Sequence, residues 1–524
     1  MTSRTKSKAT EFLKEFIGSG YQIDSDVLEL LMSKEQPKSL IKQIIATANK
    51  LPKSPLVITK EFLNSIEPSI NGKKRSIGTD IFKKDFEIAA PVIKRDYKLK
   101  NIPEMNLIDA KEVEAEITII KSPNATKSTS TTPIENLAKL FQSRYNKLKK
   151  LLLERTDTRN SVPIAKLHSS DDWEDFYVIG MLNSKREAKT GGYFLEIEDP
   201  TGIIQVIVSS KEEDLVRKAE RLLEDQVLCI HGAMQKKVFL VKEILLPEIP
   251  TTYKSREASI PICAALISDL HVGSVKFLDD VFEQFILWLK GEVGGEKERK
   301  LGRSVKYLLI AGDLVEGIGI FPNQKKELRI KDIYQQYEEV GKLLEQVPEH
   351  IEIIVIPGNH DATRQALPQT PIPKEFAEKL YEMPNVQVLG SPTYISIHDV
   401  TVLMDHGRSL DDVVESIPTV QTENPDSAMV ELLRARHLSP RWGGKTTLAH
   451  EPNDFLVIEE IPDIFHAGHT HTNGVTVYRG VTVVNSGAFQ AQTNYQKRIN
   501  INPTPGIVPV MNLKTRKITE INFN

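Results

Sequence analysis

Apolar positions at the start of the chain recur with the period of a helix. Phe12, Leu13, Phe16 and Ile17 form one set; Val27, Leu28, Leu30 and Leu31 follow the capping stretch Asp24-Ser25-Asp26; Leu40, Ile41, Ile44 and Ile45 make a third. Residues three and four apart share a helix face, so this spacing predicts a small helical module over 1–65. From 66 to 132 the pattern dissolves into charge and small polar residues, ending in Ser128-Thr129-Ser130-Thr131-Thr132-Pro133. Such a composition buries too little apolar surface to offset its ordering entropy and predicts a flexible linker. Leu137, Leu140, Phe141, Tyr145, Leu148, Leu151 and Leu152 restore the helical period and mark a connecting helix within a lead-in over 133–171.

Over 172–250 the period shortens. Phe176-Tyr177-Val178-Ile179-Gly180-Met181-Leu182 reads as a strand, Gly191-Gly192 turns into a second at 193–197, and Asp199-Pro200-Thr201-Gly202 into a third at 203–208. A helix near 211–223 and strands at 227–233 and 238–241 follow. Three strands, a helix and two strands is the order of an OB-fold β-barrel, which the segment resembles. Outward-facing members of Phe176, Tyr177, Tyr193 and Phe194 would offer stacking surfaces for single-stranded DNA, although such barrels also dock proteins.

From 260 to 524 strands alternate with helices, the rhythm of a layered α/β domain. Its apolar runs close on polar clusters: Ser268-Asp269-Leu270-His271, Gly312-Asp313, Gly358-Asn359-His360-Asp361, Asp405-His406-Gly407 and His466-Ala467-Gly468-His469-Thr470-His471. Strands buried on both faces read as continuous apolar runs, so these clusters fall at strand ends. In an extended backbone Asp269 and His271 project to the same side, which lets one carboxylate oxygen and one imidazole nitrogen share a cation, and His469 and His471 repeat the same spacing. Gly312 permits the turn that aims Asp313 inward, and a carboxylate has two oxygens with which to bridge two ions. Asn359 offers an amide oxygen, His360 an imidazole, and Asp361 an acceptor to fix the tautomer of His360. Six of the twelve histidines lie in these clusters. Surface composition does not produce such clustering; a two-metal phosphoesterase site does.

Composition sets limits around that site. At 524 residues and 40% hydrophobic content the chain exceeds one core and is multidomain. A formal net charge of −3 and a pI near 6.5 give no bulk basic signature, so nucleic-acid contact must come from local patches or a partner. Cys229 and Cys263 sit in apolar runs without CxxC spacing, which excludes a thiolate zinc site and fits a reducing cytoplasm. No apolar run approaches the ~18–20 residues of a membrane span, so the expectation is a soluble protein with no membrane contact.

The set D-x-H, G-D, G-N-H-D, H-G and G-H-x-H, in this order, resembles that of the calcineurin-like metallophosphoesterases. The OB-like segment upstream, with His406-Gly407-Arg408-Ser409 and Asp313-Leu314-Val315-Glu316-Gly317, narrows the resemblance to the small subunits of archaeal family D DNA polymerases, over about residues 170–524. That resemblance implies one metal at Asp269, His271 and His471, a second at Asn359, His406 and His469, Asp313 between them, and His360 as catalytic acid. It also implies a 3′-to-5′ proofreading exonuclease acting on a DNA 3′ end beside a large catalytic polymerase subunit. The cofactor is two divalent ions, manganese by resemblance, with magnesium, iron and zinc compatible. Arg364 and Arg408 lie beside metal motifs as candidate phosphate contacts, with structural ion pairing as the alternative. His466 is expected to pack or support a ligand, Glu316 to support one or be solvated, and the Trp442-Gly443-Gly444-Lys445 loop to meet substrate or partner. A stand-alone phosphatase or phosphodiesterase would use the same site; a scaffold subunit would not need it intact.

Overall fold

The computed structural model describes residues 22–23, 27, 31, 41–42, 44–46, 57–58, 107–123, 133–167, 174–235 and 238–524. The chain divides into two compact units, Met1–Ile93 and Lys94–Asn524. In the first, Val27, Leu31, Ile41 and Ile44 are fully buried at helical positions. A two-stranded parallel pair, Gln22–Ile23 with Val57–Ile58, departs from the all-helical expectation. The helix expected at 12–17 lies outside the described residues, as do 66–106 and 124–132 of the expected linker.

The remaining part of that linker is not one. Residues Ile117–Lys121 form strand β1 of the second unit, with Ile117 opposite Ile397 and Ile119 opposite Ile395. Leu107 and Ala110 join the core, and Tyr307 Oη accepts from Glu116 N at 2.9 Å. Charged neighbours conceal this strand in the sequence, because an edge strand buries little.

Helix α1, Pro133–Leu153, leads into a closed barrel. The barrel strands are β2 (Asp175–Glu187), β3 (Tyr193–Asp199), β4 (Gly202–Val208), β5 (Val227–Gln235) and β6 (Val238–Leu245), with helix α2, Glu213–Glu220, between β4 and β5. Strand β6 runs parallel to β4, and β5 pairs with β2 to close the ring. Alternation sends Val178, Leu195, Ile197, Ile204, Val206, Ile230 and Phe239 inward. Of the four aromatics, Phe176 is in this core, Tyr193 packs against it, and Tyr177 stacks on His231 with centroids 4.2 Å apart. Phe194 faces outward beside Arg186, but Glu196 and Glu198 share its side of β3, which disfavours a phosphate backbone.

Two six-stranded sheets form the rest. The first contains β7 (Cys263–Ile267), β8 (Val305–Ala311), β9 (Glu352–Ile356), β10 (Val386–Val388), β16 (Ile507–Asn512) and β17 (Ile518–Asn522), in the order β10-β9-β8-β7-β16-β17. The second contains β1, β11 (Thr393–Ile397), β12 (Val400–Met404), β13 (Ile464–Ala467), β14 (Gly474–Tyr478) and β15 (Val481–Asn485), in the order β14-β15-β13-β12-β11-β1. Their inner faces meet through Leu266, Leu309, Ile354, Val402, Met404, Ile464 and Val484. Alternate residues Ile267, Leu308, Ile310 and Val355 face α3 (Asp279–Leu289) and α4 (Ile333–Leu344). Leu403, Phe465 and Val483 face α5 (Leu410–Ser416) and α6 (Pro425–Ala435). This four-layer sandwich explains the unbroken apolar runs: each central strand is covered on both sides. Cys229 and Cys263 are buried and unbridged.

Barrel and sandwich are welded through α1. Tyr145, Leu148 and Leu152 pack on Ile179, Met181 and Cys229 of the barrel and on Val457 of the sandwich. Arg144, fully buried, donates to Asp454 at 2.9 Å, which also accepts from His437 at 2.9 Å. The Trp442 loop closes this seam, with Trp442 N donating to Asp225 at 2.7 Å. Among the described residues no helix is long and apolar enough to cross a membrane.

Candidate metal centre

The site sits at the carboxyl ends of the parallel strands β7, β8 and β9, where β12 and β13 of the facing sheet also deliver their ends. The expected ligand pairs are not extended as the sequence pattern suggested. Asp269, His271, Asp313, His469 and His471 all have positive φ, between 53° and 71°. Each leaves its strand through a left-handed turn, a conformation costing about 1–3 kcal/mol for a non-glycine residue. Asp, Asn and His tolerate it best, but five at one site mark backbone bent to aim side chains. Gly312, at φ 88°, lies where a Cβ would stand 2.7 Å from His406 Nδ1.

Asp269 is fully buried with Oδ2 doubly satisfied, by Ser268 Oγ and by His469 N at 2.9 Å. Its Oδ1 has no hydrogen-bond partner and lies 3.5 Å from His471 Nε2 and 3.8 Å from His271 Nε2. Those two imidazole nitrogens are 3.0 Å apart. Asp313 Oδ2 stands 3.7 Å from His271 Nε2 and 3.3 Å from His406 Nε2, between the two expected ligand sets. Asn359 Oδ1 is 3.1 Å from His406 Nε2. A buried carboxylate oxygen without a donor, facing ring nitrogens a few ångströms away, is a donor set suited to a divalent cation.

His360 stands at the edge of this cluster, its ring 4.6 Å from that of His271. Its Nδ1 meets the Glu316 carbonyl oxygen at 2.8 Å, so Glu316 rather than Asp361 fixes the tautomer. Asp361 instead accepts from Gly358 N and Tyr337 Oη, bracing the turn. Burial holds His360 below the usual imidazole range against the pull of Asp313.

The supporting residues were only partly visible in the sequence. Glu316 is buried, its Oε2 3.1 Å from His271 Nδ1 and held by Gln490 Nε2 at 2.7 Å. His466 is buried on β13 and meets Ser486 Oγ at 2.9 Å; Ser486 donates to Ser268, and Ser268 to Asp269. Burial pushes His466 down to about 3, so it is the neutral end of that chain. His469 lies beside His406 with ring centroids 5.2 Å apart, but its Nε2 points to Asp411 at 3.4 Å. Asp411 went unnoticed; its place three residues after Arg408 was the available signal. Arg408 also faces Asp411, at 3.7 Å, and Arg364 faces Glu451 at 2.5 Å, so both arginines are engaged by carboxylates.

The site's electrostatics follow from packing charges out of water. Burial opposes a charged ring at His271 and His406, yet carboxylates prevail: Glu316, Asp313 and Asp269 push His271 up to about 9, and Asp313 with Asp269 pushes His406 up to about 10. Burial would raise Asp313, but His406, His360 and His271 hold it well below the carboxylate range. Burial raises Asp269, and burial with the Asp313 charge lifts Asp361 to about 7. The cluster concentrates negative potential at Asp313 and Asp269 and surrounds it with basic nitrogen, so that a cation placed there would compete with protons for one set of lone pairs.

Comparison with known proteins places the same segment. The family of B subunits of DNA polymerase alpha/epsilon matches residues 264–475. The DNA polymerase II small subunit of Methanothermobacter thermautotrophicus is 41% identical over 401 residues, covering 76% of this chain and 82% of that protein. That of Pyrococcus furiosus is 43% identical over 391 residues, covering 74% of this chain and 63% of its own length, and that of Archaeoglobus fulgidus 42% identical over 384 residues, covering 73% and 76%. The chain thus spans less than two thirds of the Pyrococcus relative. A solved structure titled a novel archaeal phosphodiesterase aligns over 50% of this chain and 99% of its own at 14% identity, with a TM-score of 0.26, too low to carry argument.

Proposed function

This chain belongs to the family of DNA polymerase II small subunits, and from that premise we propose that it is the proofreading subunit of a two-subunit polymerase. It hydrolyses DNA phosphodiesters from the 3′ end at a two-metal centre, beside a large catalytic subunit. The observation that carries this reading is the unpartnered, buried Oδ1 of Asp269 facing His271 and His471, with Asp313 Oδ2 spanning from His271 to His406. Asp269, His271 and His471 would hold one divalent ion, and Asn359, His406 and His469 the other, with Asp313 touching both. Bound there, such ions neutralise phosphoryl charge and lower the pKa of water.

The chain's own residues do the rest. With Nδ1 committed to the Glu316 carbonyl, His360 has only Nε2 to present to substrate. Burial keeps the ring's basicity low, so once charged it gives its proton readily. Water attacks phosphorus, an O–P bond forms and the water gives up a proton to solvent, the P–O3′ bond breaks, and the His360 proton goes to the departing 3′ oxygen of the preceding nucleotide. Glu316 and Gln490 orient His271, and the Ser486–Ser268 chain orients Asp269.

The test is nuclease turnover of the chain with its large subunit, on matched and mismatched primer ends, for wild type and His360→Ala. The variant is expected to keep its metal and lose about 10²–10⁴-fold in rate. Near-normal turnover of His360→Ala at saturating metal would falsify the assignment of the acid. A wild-type complex that binds two ions and degrades no DNA sinks the nuclease reading and leaves a scaffold.

A further inference from the structure

The loop that follows Glu316 is built onto the same carbonyl that fixes His360. Glu316 O meets His360 Nδ1 at 2.8 Å and accepts from Gln324 Nε2 at 2.9 Å. Gln324 Oε1 in turn takes Ile320 N at 3.0 Å. A second glutamine, the fully buried Gln336, accepts from Gly317 N at 2.9 Å and donates to Ile330 O at 2.8 Å. Gly317, at φ 72°, runs so close to His360 that a Cβ would stand 2.4 Å from its carbonyl oxygen. Three left-handed residues, Gly317, Gly319 and Asn323, complete the turn. Two buried amides and this backbone make a rigid loop whose position is registered to the catalytic ring.

Its tip is apolar without serving a core. Ile318 packs against the helical side of the first sheet, whereas Ile320 and Phe321 are half-buried and join none of the apolar clusters among the described residues. Pro322 and Asn323 are exposed, and Lys325 and Lys326 follow. Beside a site lined by histidine and carboxylate, an aromatic ring on a fixed loop complements the flat apolar face of a nucleobase. The leaving 3′ oxygen meets His360 Nε2, so the nucleotide that owns that oxygen is the one next to the ring to which the loop is registered.

We infer that the Gly317–Asn323 loop is a base-binding subsite, with Phe321 stacking on the base of the penultimate nucleotide, the one that becomes the new 3′ end. The inference rests on the nuclease reading and adds to it a contact that holds the strand in register for each cut. It is tested in the full chain with its large subunit, using Phe321→Ala and Phe321→Trp on three single-stranded oligonucleotides: fully based, abasic at the penultimate position, and abasic at the terminal position. Phe321→Ala should lower kcat/KM about 5- to 100-fold on the fully based and terminally abasic strands, the size of one base–aromatic stack. On the penultimate-abasic strand it should match wild type, Phe321→Trp should retain activity, and metal content should not change. An equal loss on all three strands, or no loss on any, overturns the inference. So does a loss that tracks weaker co-purification with the large subunit, which would assign the loop to the partner. A wild-type complex inactive on every strand overturns the nuclease reading itself, and the subsite with it.

Discussion

Replacing Arg144 by Met tests how the barrel is fixed to the sandwich. Arg144 and Asp454 are 2.9 Å apart with side chains 0% and 1% exposed. Removing one partner of such a pair strands the other charge and costs about 3–5 kcal/mol. Spread over the unfolding entropy of a unit this size, at roughly 2.1 cal/mol/K per residue, that is a fall in Tm of about 3–6 °C. A pH dependence distinguishes the mechanism from lost packing. His437 is held at about 4 by burial first and then by the Arg144 charge, against Asp454. Its folded value lies below the unfolded ~6.5, so the unfolded state takes the proton first and wild-type stability is lost as pH falls from 6.5 toward 4. Without Arg144 the ring charges beside Asp454, the folded value rises, and that loss disappears. The deficit of Arg144→Met is therefore full at pH 8 and about 1.4 kcal/mol smaller at pH 5.5, one unit below the unfolded value. Guanidinium midpoints and Tm of both proteins at the two pH values decide it. A deficit below about 1 kcal/mol at pH 8, or one unchanged by pH, would refute the account.

Asp313→Ala should lose both metals, because one carboxylate serves two ligand sets and its removal brings cation repulsion closer, whereas Asn359→Ala should weaken one. Elemental analysis counts them; an Asp313→Ala protein holding two tight ions contradicts the bridging position. Compared with deletion of residues 1–93, deletion of 1–129 also removes β1, Leu107 and Ala110 and should lower the Tm of the second unit by about a further 5 °C. Equal melting of the two truncated chains would show that β1 contributes nothing.

The cluster was legible because polar residues at the ends of doubly buried strands interrupt apolar runs abruptly, and the side chains of Asp269, His271, Asp313, Asn359, His406 and His471 lie within a few ångströms of one another. How they converge was not legible: two residues apart reads as extended chain, whereas left-handed turns aim these side chains. Residues acting through others left weaker traces. Glu316 uses its carboxylate on one histidine and its carbonyl on another, and a backbone carbonyl has no letter in a sequence. Arg364 sat beside a motif, but its partner Glu451 is 87 residues on and set by folding, whereas Asp411, three residues after Arg408, was within reach of spacing alone. Strand β1 was missed because five half-exposed residues among charges carry no periodicity, and their partner strand is far along the chain.

That distance has a consequence for synthesis. Strand β1 emerges from the ribosome before the barrel, yet Lys121 pairs with Tyr394, 273 residues later. At about 5–20 residues per second, β1 waits roughly 14–55 s for β11, while the barrel, complete and closed on itself, folds in between. During that interval Ile119 and Ile120, still 47% and 43% exposed in the finished protein, form an unpaired template for neighbouring nascent chains. The charged run Lys111-Glu112-Val113-Glu114-Ala115-Glu116 before it, and Lys121 at its end, repel such pairing while the strand waits. Read in the time of translation, the charge that hides β1 in the sequence is what guards it on the polysome.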